Sequence, residues 1–144
     1  MAIPEPFPGL VIRYSYLWYR EHGAGEQEGR KDRPAAILMT AKAEANATRV
    51  YVLPITHAPP ANNDAAIEIP HRIKRLIGLD AEPSWIVLDE LNDFIWPGFD
   101  LAPVPGSSPP NYSYGVLPPS FYDRVRDKFL TLYDARRVKI ARRD

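Results

Sequence analysis

The amino-acid sequence predicts one mainly β domain that ends in an amphipathic helix. Its 144 residues match the length of a single ordinary domain, and its 16 prolines are about twice the usual share of roughly 5%. Because each proline removes a backbone donor and restricts the residue before it, a mostly helical protein is disfavoured. Short apolar runs joined by turns of varied length favour a small barrel or sandwich over alternating strands and helices.

The predicted strands follow runs of β-branched and aromatic residues, at 9–19, 34–40, 49–56, 65–70 and 85–91. Pro54 lies near the end of the third run and predicts a strand edge or a bulge there, because it cannot donate to a ladder. The polar segment 20–32 has three glycines and seven charged residues. It predicts an exposed loop between the first two strands.

The chain changes character after residue 96. Residues 97–114 contain five prolines and predict a long ordered loop or an insertion within the domain. Ser120 is a predicted N-cap, with Asp123 three residues on in a variant of the capping box. Apolar residues at helical spacing then predict a C-terminal helix packed on the barrel: Tyr122, Val125, Phe129, Leu132 and Tyr133.

The C-terminal part is locally basic, with eight Lys and Arg residues against four acids from Ser120 onward. Two interpretations remain open for the tail at about residues 136–144. It is either a solvated helix end, whose cations lie near the negative pole of the helix, or a tail that binds nucleic acid.

Charge and cysteine content exclude several classes of protein. The 18 Lys and Arg residues balance 18 Asp and Glu residues, so no global basic field indicates nucleic-acid binding, and any such site is local. The absence of cysteine excludes disulfides, thiolate zinc sites and cysteine nucleophiles. Neither a signal peptide nor an apolar run of about 18 residues is found, which predicts a cytoplasmic protein without membrane contact.

No metal and no cofactor are expected. The three histidines, His22, His57 and His71, lie in separate segments without the spacing of a zinc site. Neither a glycine-rich phosphate loop nor a Gly-x-Ser-x-Gly motif is present. Nucleotide hydrolysis and serine-hydrolase chemistry are therefore disfavoured.

Polar residues at two predicted strand ends are the remaining candidates for chemistry. Arg33 lies where the polar loop meets the second strand, and Thr56 and His57 lie where the third strand ends. A guanidinium, a hydroxyl and an imidazole are the groups needed to hold a phosphodiester and move a proton. Each also has an ordinary interpretation, as a surface ion pair, a strand threonine and a loop histidine.

Several motifs in this order resemble the MazF/PemK family of toxin endoribonucleases. Residues 25–38 resemble its Gly-x-Glu-Gln-x-Gly-x-Arg-Pro motif and the apolar strand that follows, here with two extra residues before Arg-Pro. Three later segments resemble its strand ending in Pro-Ile-Thr, its strand ending in Asp-Gln and its Gly-x-Leu before the last helix: Val50–Thr56, Ser84–Leu91 and Gly115–Leu117. The resemblance covers about residues 8–136, except for 97–112.

This resemblance implies an SH3-like β-barrel with a C-terminal helix, in a homodimer that binds RNA in grooves at its interface. It implies the toxin of a type II toxin–antitoxin system, a metal-independent endoribonuclease that cleaves single-stranded RNA through a 2′,3′-cyclic phosphate. Arg33 matches the catalytic arginine, which stabilises charge on the phosphoryl oxygens. Thr56 matches the catalytic threonine, which orients the phosphate.

Other site residues are also implied. Some PemK-type members use a strand arginine and an aspartate two residues later in proton transfer, and these positions are Val87 and Asp89 here. His57, next to Thr56, is the first substitute for the missing proton donor, and Glu26 is the second. The resemblance implies substrate binding by residues of the loop and of one later strand: Glu26, Gln27, Arg30, Lys31 and Ser84.

The implied partners are single-stranded RNA and a cognate antitoxin protein encoded nearby, with operator DNA bound only in complex with that antitoxin. An alternative function is a catalytically inactive barrel that binds protein or nucleic acid, because Val87 breaks the family set and the net charge is zero. Toxins of the same fold that act on DNA gyrase are a third possibility. The Arg-Pro and Ile-Thr motifs favour the ribonuclease branch over the toxins that act on DNA gyrase.

Overall fold

The computed structural model describes residues 3–19 and 31–143, and the predicted mainly β fold is confirmed there. The described residues form nine strands and two α-helices. Strands β1 to β9 span Leu10–Tyr14, Arg33–Lys42, Thr48–Thr56, Ala66–Glu68, Trp85–Val87, Glu90–Ile95, Leu101–Ala102, Ser113–Val116 and Lys139–Arg142. Helices α1 and α2 span His71–Leu76 and Pro119–Asp134.

The strands form one sheet in the order β4-β5-β3-β2-β1-β7, with β6 beside β3, β8 beside β1, and β9 beside β6. Every pair is antiparallel except β6 and β9, which are parallel. The central strand, β3, pairs with β2 on one side. On its other side it pairs first with β6 and then, at its end, with β5.

Pro54 lies inside β3 rather than at a strand edge. It opposes Ala35 of β2, and on the other side it falls between the last pair with β6, at Val52, and the first pair with β5, at Ile55. A residue without a backbone N–H fits at this point because β3 is changing partner there. The strand therefore continues through Thr56.

Both faces of the sheet are buried. In β2, Ala36 and Leu38 belong to the cluster covered by the C-terminal helix, whereas Ala35 and Ile37 belong to a second cluster that contains Tyr14. Burial on both faces explains why β2 is an almost uninterrupted apolar run in the sequence. No described helix is both long and apolar enough to span a membrane.

The C-terminal helix α2 confirms most of the predicted apolar stripe. Its buried residues are Phe121, Val125, Phe129 and Leu132, while Tyr133 is exposed. The predicted N-cap was wrong: Ser120 lies within the first turn, and no side chain caps the helix after Pro118. Pro119 in the first helical position presets the backbone angle, so the helix begins before Ser120.

Residues 139–142 of the basic tail form strand β9, so they are not the solvated helix end that one interpretation expected, while nucleic-acid binding by the tail stays a prediction. Ala141 of β9 is fully buried, and Arg142 and Arg143 form ion pairs with Asp93 and Asp100 at 3.1 and 2.8 Å. The predicted loop at 97–114 likewise contributes to the sheet through β7 and the first residues of β8.

The first strand is shorter than predicted, since pairing of β1 ends at Tyr14. Beyond it, the buried Asn92 side chain substitutes for a neighbouring strand by bonding to Leu17. Its Oδ1 accepts from the Leu17 N–H at 2.9 Å, and its Nδ2 donates to the Leu17 carbonyl at 2.8 Å. A polar side chain can thus keep a buried extended segment fully hydrogen-bonded without a ladder.

Candidate functional site

A groove of about 1080 Å³ opens at the end of the sheet where β2 begins and β3 ends. Its walls come from β1, β2, β3, β5, β6, β8 and the loops beside them. The lining includes several of the residues singled out in the sequence and several that were not: Lys31, Arg33, Thr56, His57, Ser84, Trp18, Asp80, Val87 and Glu90.

Arg33 and Thr56 lie at the same end of two neighbouring strands. Antiparallel pairing sets Ala35 opposite Pro54 and Ala36 opposite Leu53. The pairing of these two strands ends there, and Arg33, the first residue of β2, and Thr56, the last residue of β3, each lie two residues beyond it, at the same end of the sheet.

The Arg33 guanidinium lies over an aromatic ring. Its Cζ is 5.0 Å from the centroid of Trp18, and the side chain is half-buried. A guanidinium above an aromatic face is attracted to the electrons of the ring, and its N–H groups lie in the plane of the guanidinium itself. Trp18 therefore restricts how this arginine is presented to the groove.

A tight turn after Thr56 brings His57 into the same groove. The Thr56 hydroxyl oxygen accepts from the backbone N–H of Ala58 at 3.1 Å, and β3 ends at Thr56. Strand alternation, which would direct neighbouring side chains to opposite faces, no longer applies beyond this point. The hydroxyl proton of Thr56 remains a donor for a bound anion.

Both ring nitrogens of His57 face hydrogen-bond acceptors. Nε2 is 2.9 Å from Oδ2 of Asp80, and Nδ1 is 2.9 Å from the Pro83 carbonyl oxygen and 3.2 Å from Oγ of Ser84. A carbonyl or an ionised carboxylate only accepts, so both nitrogens donate when both contacts are made. The ring is thus held between acceptors of the protein on both of its nitrogen sides.

A buried ammonium group lies behind this histidine. Lys74 of α1 is 1% exposed, and its Nζ donates to Asp80 Oδ1 at 3.0 Å, to Ser84 Oγ at 2.8 Å and to the Glu82 carbonyl. Three acceptors satisfy its three N–H donors. Desolvation raises the pKa of Asp80, but the Lys74 hydrogen bond and the His57 charge outweigh it and lower that pKa below its usual value.

Glu90 is a carboxylate in the lining of the groove that was not among the residues predicted from the sequence. Its Oε1 accepts from the Tyr16 hydroxyl at 3.1 Å and from the Tyr19 N–H at 2.9 Å. Burial, followed by the nearby Glu90 charge, raises the pKa of Tyr16 well above its usual value, so Tyr16 stays a neutral donor. The signal in the sequence was its place directly after Asp89, where the Asp-Gln motif that this segment resembles has a glutamine.

Asp89 is not among the described residues that line the groove. It is half-buried, and its backbone carbonyl accepts from the Lys139 N–H of β9 at 2.9 Å. Desolvation raises the pKa of Asp89, although Arg137 opposes that shift. Val87, at the position where the resemblance noted in the sequence implies an arginine, does line the groove.

The predicted substrate-binding residues divide into two groups. Lys31 and Ser84 line the groove. Glu26, Gln27 and Arg30 lie outside the described residues, together with most of the loop at 20–32.

One exposed group of described residues has ligand atoms for a cation: His57, Asp80 and Glu82, within 4.8 Å of one another. Its central carboxylate, Asp80, already accepts from the Lys74 ammonium and from His57. These two donors neutralise the charge that a divalent cation would need. The group therefore fits an internal ion-pair network better than a metal site.

Comparison of the chain with protein-family models, curated proteins and solved structures finds no match. The chemistry of the groove is therefore inferred from its residues and from the motifs of the sequence.

Proposed function

We propose that the protein is a metal-independent endoribonuclease that cleaves single-stranded RNA and acts as the toxin of a toxin–antitoxin pair. The observation that carries this proposal is the placement of Arg33, at the start of β2, and Thr56, at the end of β3, in one groove with His57. Residues far apart in the sequence line the same groove, where they offer a fork of donors, a hydroxyl and an imidazole to a phosphodiester.

The reaction is attack of the RNA 2′-hydroxyl on the adjacent phosphorus, which leaves a 2′,3′-cyclic phosphate and a 5′-hydroxyl. Negative charge grows on the non-bridging oxygens, where Arg33 donates two hydrogen bonds at once. Thr56 donates a third and fixes the orientation of the phosphate. Glu90, held by Tyr16 and Tyr19, is the described carboxylate that we assign as acceptor of the 2′-hydroxyl proton.

The dimensions and lining of the groove support a single-stranded substrate. Its volume of about 1080 Å³ is slightly above the roughly 300–1000 Å³ typical of small-molecule pockets. Two aromatic residues, Trp18 and Tyr114, line it near the basic residues Arg13 and Lys31. Single strands bind through such pairs of stacking surfaces and backbone-tracking cations.

The finer fold assignment belongs to the same proposal. We propose that the sheet is an SH3-like barrel of the MazF/PemK type, because α2 covers one of its faces and the motifs of the sequence resemble that family. A cytoplasmic location, a cognate antitoxin, and operator DNA bound only with that antitoxin follow from the toxin assignment.

The direct test is cleavage of a long single-stranded RNA by the purified protein in excess EDTA, with the product ends mapped. We expect discrete cuts that leave 5′-hydroxyl and 2′,3′-cyclic phosphate ends. Thr56→Ala, prepared in parallel, controls for contaminating nuclease. Intact RNA after prolonged incubation, or cuts that Thr56→Ala makes equally well, would contradict the proposal.

A second candidate function has one observation in its favour. Val87 lines the groove at the position where a family member has an arginine, so the groove is less cationic than that resemblance implies. A catalytically inactive barrel that binds protein or nucleic acid would tolerate this change. Tight binding of RNA or of a partner protein without cleavage would favour it.

We also predict a homodimer. Tyr14 and Tyr16 are buried within the chain's own core and are not free to form an interface, but Met39 of β2 and Phe99 are exposed apolar side chains. Exposed large apolar groups are commonly covered by a partner subunit. Light scattering at tens of micromolar should give twice the 16.3 kDa chain mass; the monomer mass would contradict this prediction.

A further inference from the structure

The buried Lys74 is connected to the groove through Asp80 and His57. Lys74 is 1% exposed, whereas the side chains of Asp80 and His57 are 55% and 51% exposed. One carboxylate oxygen of Asp80 faces the lysine, and the other faces the histidine. The network therefore runs from the interior of the protein to the solvent-facing wall of the groove.

Packing alone does not explain a lysine at this place. Burial of an ammonium is costly, and an apolar side chain of similar volume often replaces a buried ion pair without loss of stability. Lys74 also fixes three separate acceptors in the loop that precedes β5, namely Asp80, the Glu82 carbonyl and Ser84. Two of these groups contact the ring of His57.

We propose that His57 is the proton donor to the leaving 5′-oxygen of RNA, and that Lys74 and Asp80 are positioning residues that hold it as an imidazolium. This inference rests on the proposed ribonuclease activity. His57 touches the reacting atoms and is the catalytic group, whereas Lys74 acts only through Asp80 and Ser84.

The step balances in atoms and charge. The O2′–P bond forms as the O2′ proton passes to the Glu90 carboxylate. The P–O5′ bond breaks, and O5′ takes the proton from Nε2 of His57 to leave as a hydroxyl. Water then returns a proton to the imidazole and removes one from the Glu90 carboxylic acid.

The Nε2 side of the ring faces an exposed carboxylate. Nδ1 is next to the Pro83 carbonyl and Ser84, whereas Nε2 contacts Asp80, whose side chain is 55% exposed, so O5′ must take the place of Asp80 at Nε2 when the proton is transferred. The charged groups that face the ring are Asp80, Glu82 at 3.8 Å from Nε2, and Lys74 behind Asp80. Two carboxylates therefore flank Nε2, the nitrogen proposed to carry the transferred proton.

The test compares two RNA oligonucleotides that contain the mapped cleavage site, one with the normal 5′-oxygen and one with sulfur in its place. A thiolate leaves without protonation, so the sulfur substrate does not need a proton donor. The glutamine of His57→Gln can still donate to Asp80 but is not an acid. We expect the His57→Gln variant to cut the oxygen substrate about 100- to 10,000-fold more slowly than the wild-type protein does. Its rate on the sulfur substrate should stay within a few-fold of the wild-type rate.

Substitution of the positioning residues should also slow cleavage of the oxygen substrate selectively, but by a smaller factor than His57→Gln does. We expect Lys74→Met and Asp80→Asn to slow cleavage of the oxygen substrate about tenfold or more and to leave cleavage of the sulfur substrate nearly unchanged. Asp80 is exposed, so Asp80→Asn tests the network even if Lys74→Met unfolds the protein. The matched control is Lys128→Met, whose Nζ donates to the Asn63 and Ala66 carbonyls outside the groove.

Each other outcome overturns a distinct claim. Equal slowing of both substrates by His57→Gln would give the histidine a structural role only, and no slowing of either would remove it from the reaction. If His57→Gln cuts the oxygen substrate slowly while Asp80→Asn and a folded Lys74→Met both cut it at the wild-type rate, Lys74 and Asp80 have no positioning role. Failure of wild type to cut either substrate would contradict the ribonuclease proposal itself.

Discussion

Arg33→Ala is expected to slow RNA cleavage about 100- to 1000-fold while the protein stays folded. The cyclising phosphodiester spreads new charge over two non-bridging oxygens, and a planar guanidinium can donate to both together. Trp18 lies 5.0 Å from the Arg33 Cζ, so the guanidinium is already beside an aromatic ring of the groove before RNA binds. The rate of cleavage under single-turnover conditions measures the loss, and far-UV circular dichroism checks the fold.

Arg33→Lys should recover little of this activity. A lysine restores the charge but donates from one compact ammonium, which cannot meet two oxygens in the fixed geometry of a fork. The matched control is Arg124→Ala on α2, because the Cζ of Arg124 lies 5.7 Å from the Phe121 ring and outside the groove. Wild-type rates in Arg33→Ala, or equal losses in Arg124→Ala, would remove Arg33 from the catalytic site.

The parts of the fold that the sequence predicts are those with strong local periodicity. The apolar run of β2 and the stripe at Val125, Phe129 and Leu132 determine a strand and a helix by themselves, because burial on a defined face requires those spacings. Helix α1 and strand β9 were missed. Each is only four to six residues long and largely exposed, so contacts with distant segments decide its conformation.

The candidate site divides in the same way. Arg33 and Thr56 could be predicted to meet because they lie at the ends of predicted neighbouring strands. Lys74 could not, since a lysine between Ile73 and Arg75 in a polar stretch is ordinarily an exposed residue. Its burial depends on the loop at residues 80–84, which supplies all three of its acceptors.

Arg143→Ala is expected to lower the free energy of unfolding by about 3 kcal/mol, the lower end of the range for breaking a buried ion pair. The side chain of Arg143 is 2% exposed, and its guanidinium donates to Asn92 and Asp100 at 2.9 and 2.8 Å and to the Ser15 carbonyl at 3.0 Å. Removal of this side chain takes one hydrogen-bond donor away from each of these three acceptors, although Asn92 Oδ1 still accepts from the Leu17 N–H. Asp100 is 22% exposed, and water there limits the loss.

Urea unfolding measures this effect, with Arg136→Ala as the matched control from the exposed part of the tail.

The same pair of variants separates the two functions that a basic C-terminus could have. If the tail served to bind RNA, both substitutions would weaken RNA binding and reduce its salt dependence, with little change in stability. A tail that completes the sheet gives the opposite pattern, because Arg143 ties β9 to the segment after β1 and to β6, whereas Arg136 precedes the strand. A loss of stability in Arg143→Ala below about 1 kcal/mol, which is the scale of an exposed ion pair, would show that the tail is not held in this way.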